Sequence, residues 1–464
     1  MIPTALADVV AVTGATVHGV PSADTVTADV EVDSRLVVQG GLFVALPGER
    51  VDGHEYAGAA VRAGAVAALT ARPVEGVPCL VVDDPLAAMQ ALVRAAYGRP
   101  DRPRVIGVTG SSGKTSTKDL LTQVLGTVGP VLSPPGSYNN EVGLPLTALR
   151  RTEQTTCAVL EYSARGVGHI AFLRDLVAPD VAVLLNIGTA HLGEFGSREA
   201  IAQAKGELLE RAPLAVLNAD DRLVLGQAGR APGRVLTYGT GPDADVRALD
   251  LELDDDGRPR FRLTTATGSA LVALQLRGAH SASNALAAAA VALEVMDLDR
   301  VATALSAATP VSRWRMEVVE RADGVTVVND AYNANPESMR AALRTLAVMS
   351  RGKARRTVAV LGPMAELGDD AREAHMDLGR FLVRLDISQL VVVGPAAGGI
   401  HAGAVLEGSW GSESIHVPDV DAAVALLRAE LAPGDVVLVK ASRSAGLERV
   451  AAALLEPALP DCDA

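Results

Sequence analysis

The stretch from Val105 to Thr117, VIGVTGSSGKTST, has the residue types and spacing of a phosphate-binding loop. The apolar run at Val105, Ile106 and Val108 predicts a buried strand, and apolar residues recur at helical spacing after Thr115. Glycines between strand and helix let backbone N–H groups close round an anion, which the helix dipole also favours. The lysine would reach the outer phosphates and the following hydroxyl would bind Mg²⁺. We therefore predict an ATP site formed by Gly110, Ser111, Ser112, Gly113, Lys114, Thr115 and Ser116.

Three further polar residues in the same region can do chemistry, but each also has an ordinary structural interpretation. Glu161 follows the apolar strand Ala158–Leu160, so it can be a Mg²⁺ ligand or an exposed carboxylate at a strand end. His191 lies in a predicted loop, where a histidine is more often structural than a metal ligand. Lys205 lies within a predicted helix over 197–211, where a lysine is usually a solvated surface cation. Taken singly, none of the three identifies a site.

The same ambiguity applies to polar residues further along the chain. Asn284, early in an alanine-rich helix, can offer its amide to a purine or can simply begin the helix. Residues 330–336, DAYNANP, follow a strand and precede a helix that opens at Pro336, so their polar groups can be helix caps. Lys440, at the end of the last predicted strand, can bind an anion at a helix N-terminus.

The elements that would position these residues alternate between strand and helix. From Val105 to about Pro310 the predicted strands include 158–160, 181–187 and 214–217, with helices between them. This alternation is typical of a doubly wound parallel sheet, in which ligands bind at the carboxyl ends of the strands. The acidic turn at 254–257 is interpreted as the solvated tip of a hairpin. We expect the polar residues that follow the strands to converge on the phosphates.

Length and composition favour several α/β domains. The 464 residues are too many for one core, and the proline-containing segment 98–103 and residues 303–312 mark two boundaries. We predict domains at 1–102, 103–311 and 312–464. The net charge of −13 argues against a nucleic-acid binder, and neither a membrane-length apolar run nor a signal peptide is evident. The three scattered cysteines have no metal-ligand spacing, so a reducing cytoplasm is the expected compartment.

Several blocks of sequence closely resemble the Mur ligase family along the whole chain. They include VDSR at 32–35, LFVALPGERVDGHEY at 42–56, SYNNEVGLPLTAL at 137–149 and the NIGTAHLGEFGSREAIAQAKGELLE segment at 186–210. They continue with GAHSASNALAAAA at 278–290, NDAYNANPESM at 329–339, GPMAELGDDAREAH at 362–375 and KASRSAGLE at 440–448. The resemblance implies three α/β domains: a small UDP-binding domain, a central P-loop ATPase and a C-terminal Rossmann-like domain that binds the incoming dipeptide and closes over ATP.

The resemblance also implies roles for individual residues. Lys114 and Thr115 would hold the ATP phosphates and one Mg²⁺, and Glu161 and His191 would bind a second. Lys205 matches the family lysine that reacts with CO₂ to form a carbamate. Nucleotide contacts are implied for Asn284, Arg315, Asp330 and Tyr332, and substrate contacts for Ser34, Arg35, Asn139, Asn140, Asn333, Asn335 and Ser442.

The family activity implied is ATP-dependent amide ligation through an acyl phosphate. The 329–339 and 362–375 blocks favour the member that joins D-alanyl-D-alanine to UDP-N-acetylmuramoyl-tripeptide in peptidoglycan synthesis, because the Asp-Asn-Pro-Arg block of the preceding ligase is absent. Small-molecule substrates and a monomer are expected. The alternatives are another ligase of this architecture, such as folylpolyglutamate synthase, and a nucleotide-binding regulatory protein without ligase chemistry.

Overall fold

The computed structural model describes residues 1–48, 51–190, 192–351, 355–408 and 412–456. Within them the strands form three large mixed sheets in succession along the chain, with helices between the strands. The α/β fold class and the three-domain organisation predicted from the sequence are confirmed. No helix in these ranges is long and apolar enough to cross a membrane.

The first sheet has five strands in the order β2-β7-β6-β5-β4, and β1 pairs with β3 beside it. The strands of this region are β1 (Thr4–Ala5), β2 (Thr16–His18), β3 (Thr25–Val26), β4 (Val30–Glu31), β5 (Leu42–Val44), β6 (Ala67–Thr70) and β7 (Cys79–Val81). Its helices are α1 (Leu6–Thr13), α2 (Ala57–Arg62) and α3 (Pro85–Tyr97).

The second sheet has nine strands in the order β16-β15-β14-β13-β12-β11-β8-β10-β9, parallel from β14 to β9. Its strands are β8 (Arg104–Thr109), β9 (Val131–Leu132), β10 (Cys157–Glu161), β11 (Val181–Leu184), β12 (Leu214–Asn218), β13 (Arg234–Gly239), β14 (Val246–Leu253), β15 (Pro259–Thr265) and β16 (Gly268–Ala273). Its helices are α4 (Lys114–Gly126), α5 (Gly143–Leu149), α6 (His169–Leu176), α7 (Leu192–Phe195), α8 (Arg198–Gly206), α9 (Arg222–Leu225), α10 (Ala279–Ala292) and α11 (Leu298–Ala307).

The third sheet has six strands in the order β17-β18-β22-β19-β20-β21, with only β17 antiparallel. Its strands are β17 (Glu317–Glu320), β18 (Thr326–Asn329), β19 (Thr357–Leu361), β20 (Gln389–Val393), β21 (Ser414–Val417) and β22 (Val436–Lys440). Its helices are α12 (Pro336–Arg351), α13 (Ala371–Arg384), α14 (Gly398–Glu407), α15 (Val420–Glu430) and α16 (Glu448–Leu455).

Both faces of the second sheet are buried, which explains why its central strands are continuously apolar. Val105 of β8 packs into one core on one face, while its neighbour Ile106 packs into a second core on the other. The first of these cores continues into the first sheet, where Leu42 and Leu69 belong to it. Helix α10 is alanine-rich and almost wholly buried, and its small side chains allow it to pack closely against α4.

The segment that leads from the second region to the third is fixed to α4, and the two regions also touch at a turn. The side chain of Gln123 on α4 exchanges two hydrogen bonds with the backbone of Thr309 in the connecting segment, at 2.9 and 3.0 Å. The acidic turn at 254–257 contributes another contact: a Cβ at Gly257 would lie 3.2 Å from the Thr345 methyl on α12. The turn joins the antiparallel strands β14 and β15 as the predicted hairpin, with Asp255 exposed, while Gly257 packs against a helix of the third region.

Candidate active site

A cavity of about 860 Å³ lies between the second and third regions, where the parallel strands of both sheets end. Fifteen of the predicted residues line it: Ser111, Ser112, Gly113, Lys114, Thr115, Ser116, Asn139, Asn140, Glu161, Asn284, Arg315, Asp330, Tyr332, Asn333 and Asn335. These residues come from segments that lie between positions 111 and 335 of the chain. The expected convergence of polar strand ends is present for Glu161 and Asn186, whereas Asn218 and Asp220 at the end of β12 do not line the cavity.

The phosphate-binding loop joins β8 to α4 as the sequence predicts. Gly110 and Gly113 have φ of 158° and 82°, a backbone conformation that side chains disfavour. A Cβ at Gly113 would lie 2.6 Å from Oδ1 of Asn284, so only glycine lets the loop lie against that amide. Lys114 Nζ donates to the Gly110 carbonyl oxygen at 2.7 Å, across the mouth of the loop. The first N–H groups of α4 have no acceptor within the helix and face an incoming anion.

Electrostatics at Lys114 favour an anionic ligand. Enclosure by the surrounding protein lowers the pKa of this lysine, and the Glu161 carboxylate partly opposes that shift while the Arg315 guanidinium adds to it. Two cations from different regions thus face the same space. A polyphosphate would relieve their mutual repulsion and stabilise both charged forms.

Glu161 is fully buried at the end of β10, in register with Val108 of β8. Its Oε2 accepts from Asn139 Nδ2 at 3.4 Å, while its Oε1 has no hydrogen-bond partner within the described ranges. The exposed-carboxylate interpretation is therefore wrong. An unpartnered buried carboxylate oxygen is costly, and a bound cation would satisfy it.

Lys205 is also buried, with 2 % of the side chain exposed near the end of α8. Burial lowers the pKa of this lysine far below its usual range, and the Lys114 ammonium lowers it further. No carboxylate in the described part of the chain forms an ion pair with it. The solvated-cation interpretation is therefore wrong, and the physical setting favours a neutral amine at this position.

Arg315 and Tyr332 bring the third region to the phosphate-binding loop. The Arg315 guanidinium carbon lies 4.2 Å from the centre of the Tyr332 ring, which is a cation–π contact. Its Nη2 donates to Ser137 Oγ at 3.2 Å, and that hydroxyl is 3.2 Å from Thr115 Oγ1. Ser137 thus bridges the two regions beside the loop. Its own spacing in the sequence did not single it out.

Asp330 lines the cavity and is held in place by an ion pair with Lys440. Lys440 Nζ donates to Asp330 Oδ2 at 2.6 Å, and the Met316 N–H donates to Oδ1 at 3.0 Å. Lys440 also donates to the Asn333 carbonyl oxygen at 2.9 Å. The expectation that Lys440 binds an external anion is therefore replaced by a pairing with Asp330 inside the protein.

Five other predicted residues in the described ranges do not line the cavity: Ser34, Arg35, Gly110, Lys205 and Ser442. Ser34 and Arg35 belong to the first region, where the Arg35 side chain is 85 % exposed and pairs with Asp33. Ser442 is buried, and its hydroxyl accepts from the Ala365 N–H at 2.8 Å. Asn335 lines the cavity and caps α12 by accepting from the Ser338 N–H at 2.8 Å. His191 lies outside the described residues.

Glu337 and Glu366 line the cavity and escaped the sequence reasoning, whereas Asn186 is one of the polar strand ends that we expected to converge on the phosphates. Asn186 accepts from the Ser112 N–H at 2.9 Å and so fixes the shape of the loop. Glu337 accepts from Thr189 across the two regions. Glu366 lines the cavity in a left-handed backbone conformation with φ of 63°. These residues are brought to the cavity by packing between segments that are distant in the sequence.

The residues next to the phosphate-binding loop offer oxygen atoms to a metal ion. Within the described ranges, no three His, Cys, Asp or Glu side chains lie together as a ready metal cluster. The oxygen donors next to the phosphate-binding loop are the Thr115 hydroxyl and the unpartnered Oε1 of Glu161. Hard oxygen donors of this kind, completed by phosphate oxygens and water, suit Mg²⁺.

Each of the three regions of the chain matches a known protein family. Residues 27–97 match the family described as "Mur ligase family, catalytic domain", residues 108–292 match "Mur ligase middle domain", and residues 314–443 match "Mur ligase, glutamate ligase domain". A Mycobacterium tuberculosis protein named UDP-N-acetylmuramoyl-tripeptide–D-alanyl-D-alanine ligase is 49% identical, covering 98% of each chain.

Two solved structures of MurF ligases are also similar to this chain over most of its length. The structure of MurF from Acinetobacter baumannii has a TM-score of 0.87 and 31% identity, covering 98% of this chain and 99% of that one. MurF ligase from Thermotoga maritima, solved in complex with ADP, has a TM-score of 0.79 and 31% identity, covering 92% and 96%.

Proposed function

The chain belongs to the Mur ligase family, and we propose that it joins D-alanyl-D-alanine to UDP-N-acetylmuramoyl-tripeptide with hydrolysis of ATP. The observation that carries the proposal is the match of 49% identity to a ligase of that name over 98% of both chains. Folylpolyglutamate synthase is disfavoured because the first region also matches the Mur family. A regulatory role alone does not account for the buried Glu161 in the cavity of the phosphate-binding loop or for the buried Lys205.

The chemistry requires activation of an unreactive acid. The γ-phosphoryl group of ATP is transferred to the terminal carboxylate of the tripeptide, which gives an acyl phosphate and ADP. The amine of D-alanyl-D-alanine then attacks the acyl carbon, and phosphate leaves from the tetrahedral intermediate. Lys114 and Arg315 face the transferring group and stabilise its charge, so the protein acts mainly by positioning and neutralising.

Mg²⁺ fits the oxygen donors at this site. Thr115 would bind the ion that accompanies the phosphates, and Glu161 and His191 would bind a second. Bound there, the ion neutralises phosphate charge and polarises the transferring group. The unpartnered Oε1 of Glu161 supports this assignment.

Lys205 is proposed to carry a carbamate. A neutral lysine amine reacts with CO₂ by forming an N–C bond and losing one proton, which converts the neutral amine into an anion with two oxygens. Burial lowers the pKa of Lys205 and so favours the neutral amine that this reaction needs. The nearby Lys114 ammonium would then stabilise the product instead of repelling the lysine.

The other assignments complete the site. Adenine would contact Asn284, and Arg315, Asp330 and Tyr332 would close over the nucleotide. Substrate contacts are proposed for Ser34, Arg35, Asn139, Asn140, Asn333, Asn335 and Ser442. In this proposal residues 1–102 bind the UDP-sugar-peptide, residues 103–311 bind ATP, and residues 312–464 bind the dipeptide, in a cytoplasmic monomer.

The decisive experiment measures phosphate release with ATP, Mg²⁺ and D-alanyl-D-alanine, with and without UDP-N-acetylmuramoyl-tripeptide. We expect release to require both the donor and the acceptor, and mass spectrometry to find the pentapeptide product. Tripeptides with different diamino acids at the third position identify the preferred substrate. Release that is independent of either substrate would refute the proposal.

A further inference from the structure

The carboxylate of Glu337 reaches from the third region to the loop that follows β11. Glu337 lies in the first turn of α12, and its Oε1 accepts from the Thr189 N–H at 2.9 Å and from the Thr189 hydroxyl at 3.0 Å. The hydroxyl also lies 3.2 Å from Oε2. Both donors of one residue in the second region are therefore directed at one carboxylate of the third.

The same loop is bonded directly to the phosphate-binding loop. The N–H of Gly188, next to Thr189, donates to Ser111 Oγ at 2.9 Å. The Ser111 N–H in turn donates to the Asn186 carbonyl oxygen at 3.1 Å. A continuous set of hydrogen bonds thus runs from the phosphate-binding loop, through residues 186–189, to Glu337.

The position of the carboxylate depends on glycine at 188. A Cβ there would lie 2.9 Å from the Glu337 carboxyl carbon and about as close to both of its oxygens, at 3.0 and 3.1 Å. The carboxylate therefore lies directly against the Gly188 backbone. Both Glu337 oxygens lie within hydrogen-bond distance of the Thr189 hydroxyl, and Oε1 also accepts from the Thr189 N–H.

We propose that Glu337 is a positioning residue that couples the phosphate-binding loop to the placement of the third region. Its bonds to Thr189 hold α12 against the second region, and this placement brings Arg315 and Tyr332 over the nucleotide site. Only the kinetic test of this proposal depends on the proposed ligase function. Domain closure around a nucleotide is measured without the peptide substrates.

The test is a double-mutant cycle with Glu337→Ala and Thr189→Val. Small-angle X-ray scattering with a non-hydrolysable ATP analogue reports compaction, and phosphate release reports kcat/KM for the dipeptide. We expect the wild type to compact, and Glu337→Ala to compact less and to lose about tenfold in kcat/KM, the lower end for hydrogen bonds to a charged group. Thr189→Val should lose less of the compaction and of kcat/KM than Glu337→Ala does. The double variant should match Glu337→Ala in both measurements, because the two substitutions break the same contact.

Two more variants separate positioning from folding. Gly188→Ala keeps every charge but displaces the carboxylate, so it should reproduce the loss seen in Glu337→Ala. Glu373→Gln is the matched control, because Glu373 is a first-turn glutamate of α13 that pairs only with a surface arginine in the described ranges. It should compact and turn over like the wild type.

Several results would overturn the inference. They are normal compaction of Glu337→Ala, losses that multiply in the double variant, and a wild type that does not compact with the analogue. A wild type that compacts but forms no pentapeptide would refute the proposed function and leave the Glu337 contact supported.

Discussion

Replacement of Lys440 by methionine removes the ammonium that holds Asp330 at the edge of the nucleotide site. Only 3 % of the Lys440 side chain and 14 % of the Asp330 side chain is exposed, and their charged atoms lie 2.6 Å apart. At an effective dielectric constant of about 20, Coulomb's law gives about 6 kcal/mol of attraction at that distance. The desolvation of two buried charges offsets much of it.

The net cost of the substitution is larger than the net value of the pair. Methionine leaves Asp330 buried without its cation, and breaking a buried pair in this way costs about 3–5 kcal/mol of unfolding free energy. Asp330→Asn combined with Lys440→Met leaves no buried charge. The double variant should therefore be destabilised by less than the two single changes together, with a coupling of about 2 kcal/mol.

Urea unfolding followed by tryptophan fluorescence measures the loss of unfolding free energy in the third region, which contains Lys440 and Asp330. Both tryptophans, Trp314 and Trp410, lie in the last third of the chain, so the signal follows the third region. An unfolding free energy of Lys440→Met within about 1 kcal/mol of wild type would refute the reasoning, since surface changes have effects of that size. Additive losses in the cycle would show that the two residues do not act as a pair.

Three further predictions concern the site and the join between the first and second regions. Lys114→Ala should abolish ATP-dependent phosphate release while the protein stays folded by circular dichroism, because the transferring group loses its nearest cation; near-normal turnover would exclude the assigned site. Lys205→Ala should remove activity, and short carboxylic acids should partly restore it by supplying the missing oxygens; an unchanged rate would exclude the carbamate. Burial raises the pKa of Asp180, but the Arg102 guanidinium and the Val105 N–H outweigh it and lower the pKa overall. The stabilisation from Asp180 is thus complete above the unfolded pKa and is lost as pH falls through the lower folded value, so Asp180→Asn should cost about 2 kcal/mol at pH 7 and progressively less below about pH 4. Equal unfolding penalties by urea titration at pH 7 and at pH 2.5 would contradict this.

Local features were predictable because the physics that fixes them is local. The strand, glycine loop and helix N-terminus at 105–117 are consecutive in the chain, and α12 begins at Pro336 as its N-terminal residues indicate. The strand predicted over 181–187 ends instead at Leu184. Its last residues leave the sheet because Asn186 turns back to bond Ser112.

Long-range pairings could not be predicted, because sequence spacing does not say which strand ends meet. The burial of Glu161 and Lys205 depends on the order of strands in the sheet and on the helices packed against it. Lys440 and Asp330 are 110 residues apart, so the anion-binding interpretation of Lys440 had no reason to include its carboxylate partner. For such residues the family resemblance suggested roles that composition and spacing alone did not.

The pairing of Gln123 with the Thr309 backbone limits how the third region can move relative to the second. It fastens the connecting segment to α4, the same helix whose first turn faces the phosphates. A rotation of the third region about this segment would therefore displace its distal end more than the residues next to α4.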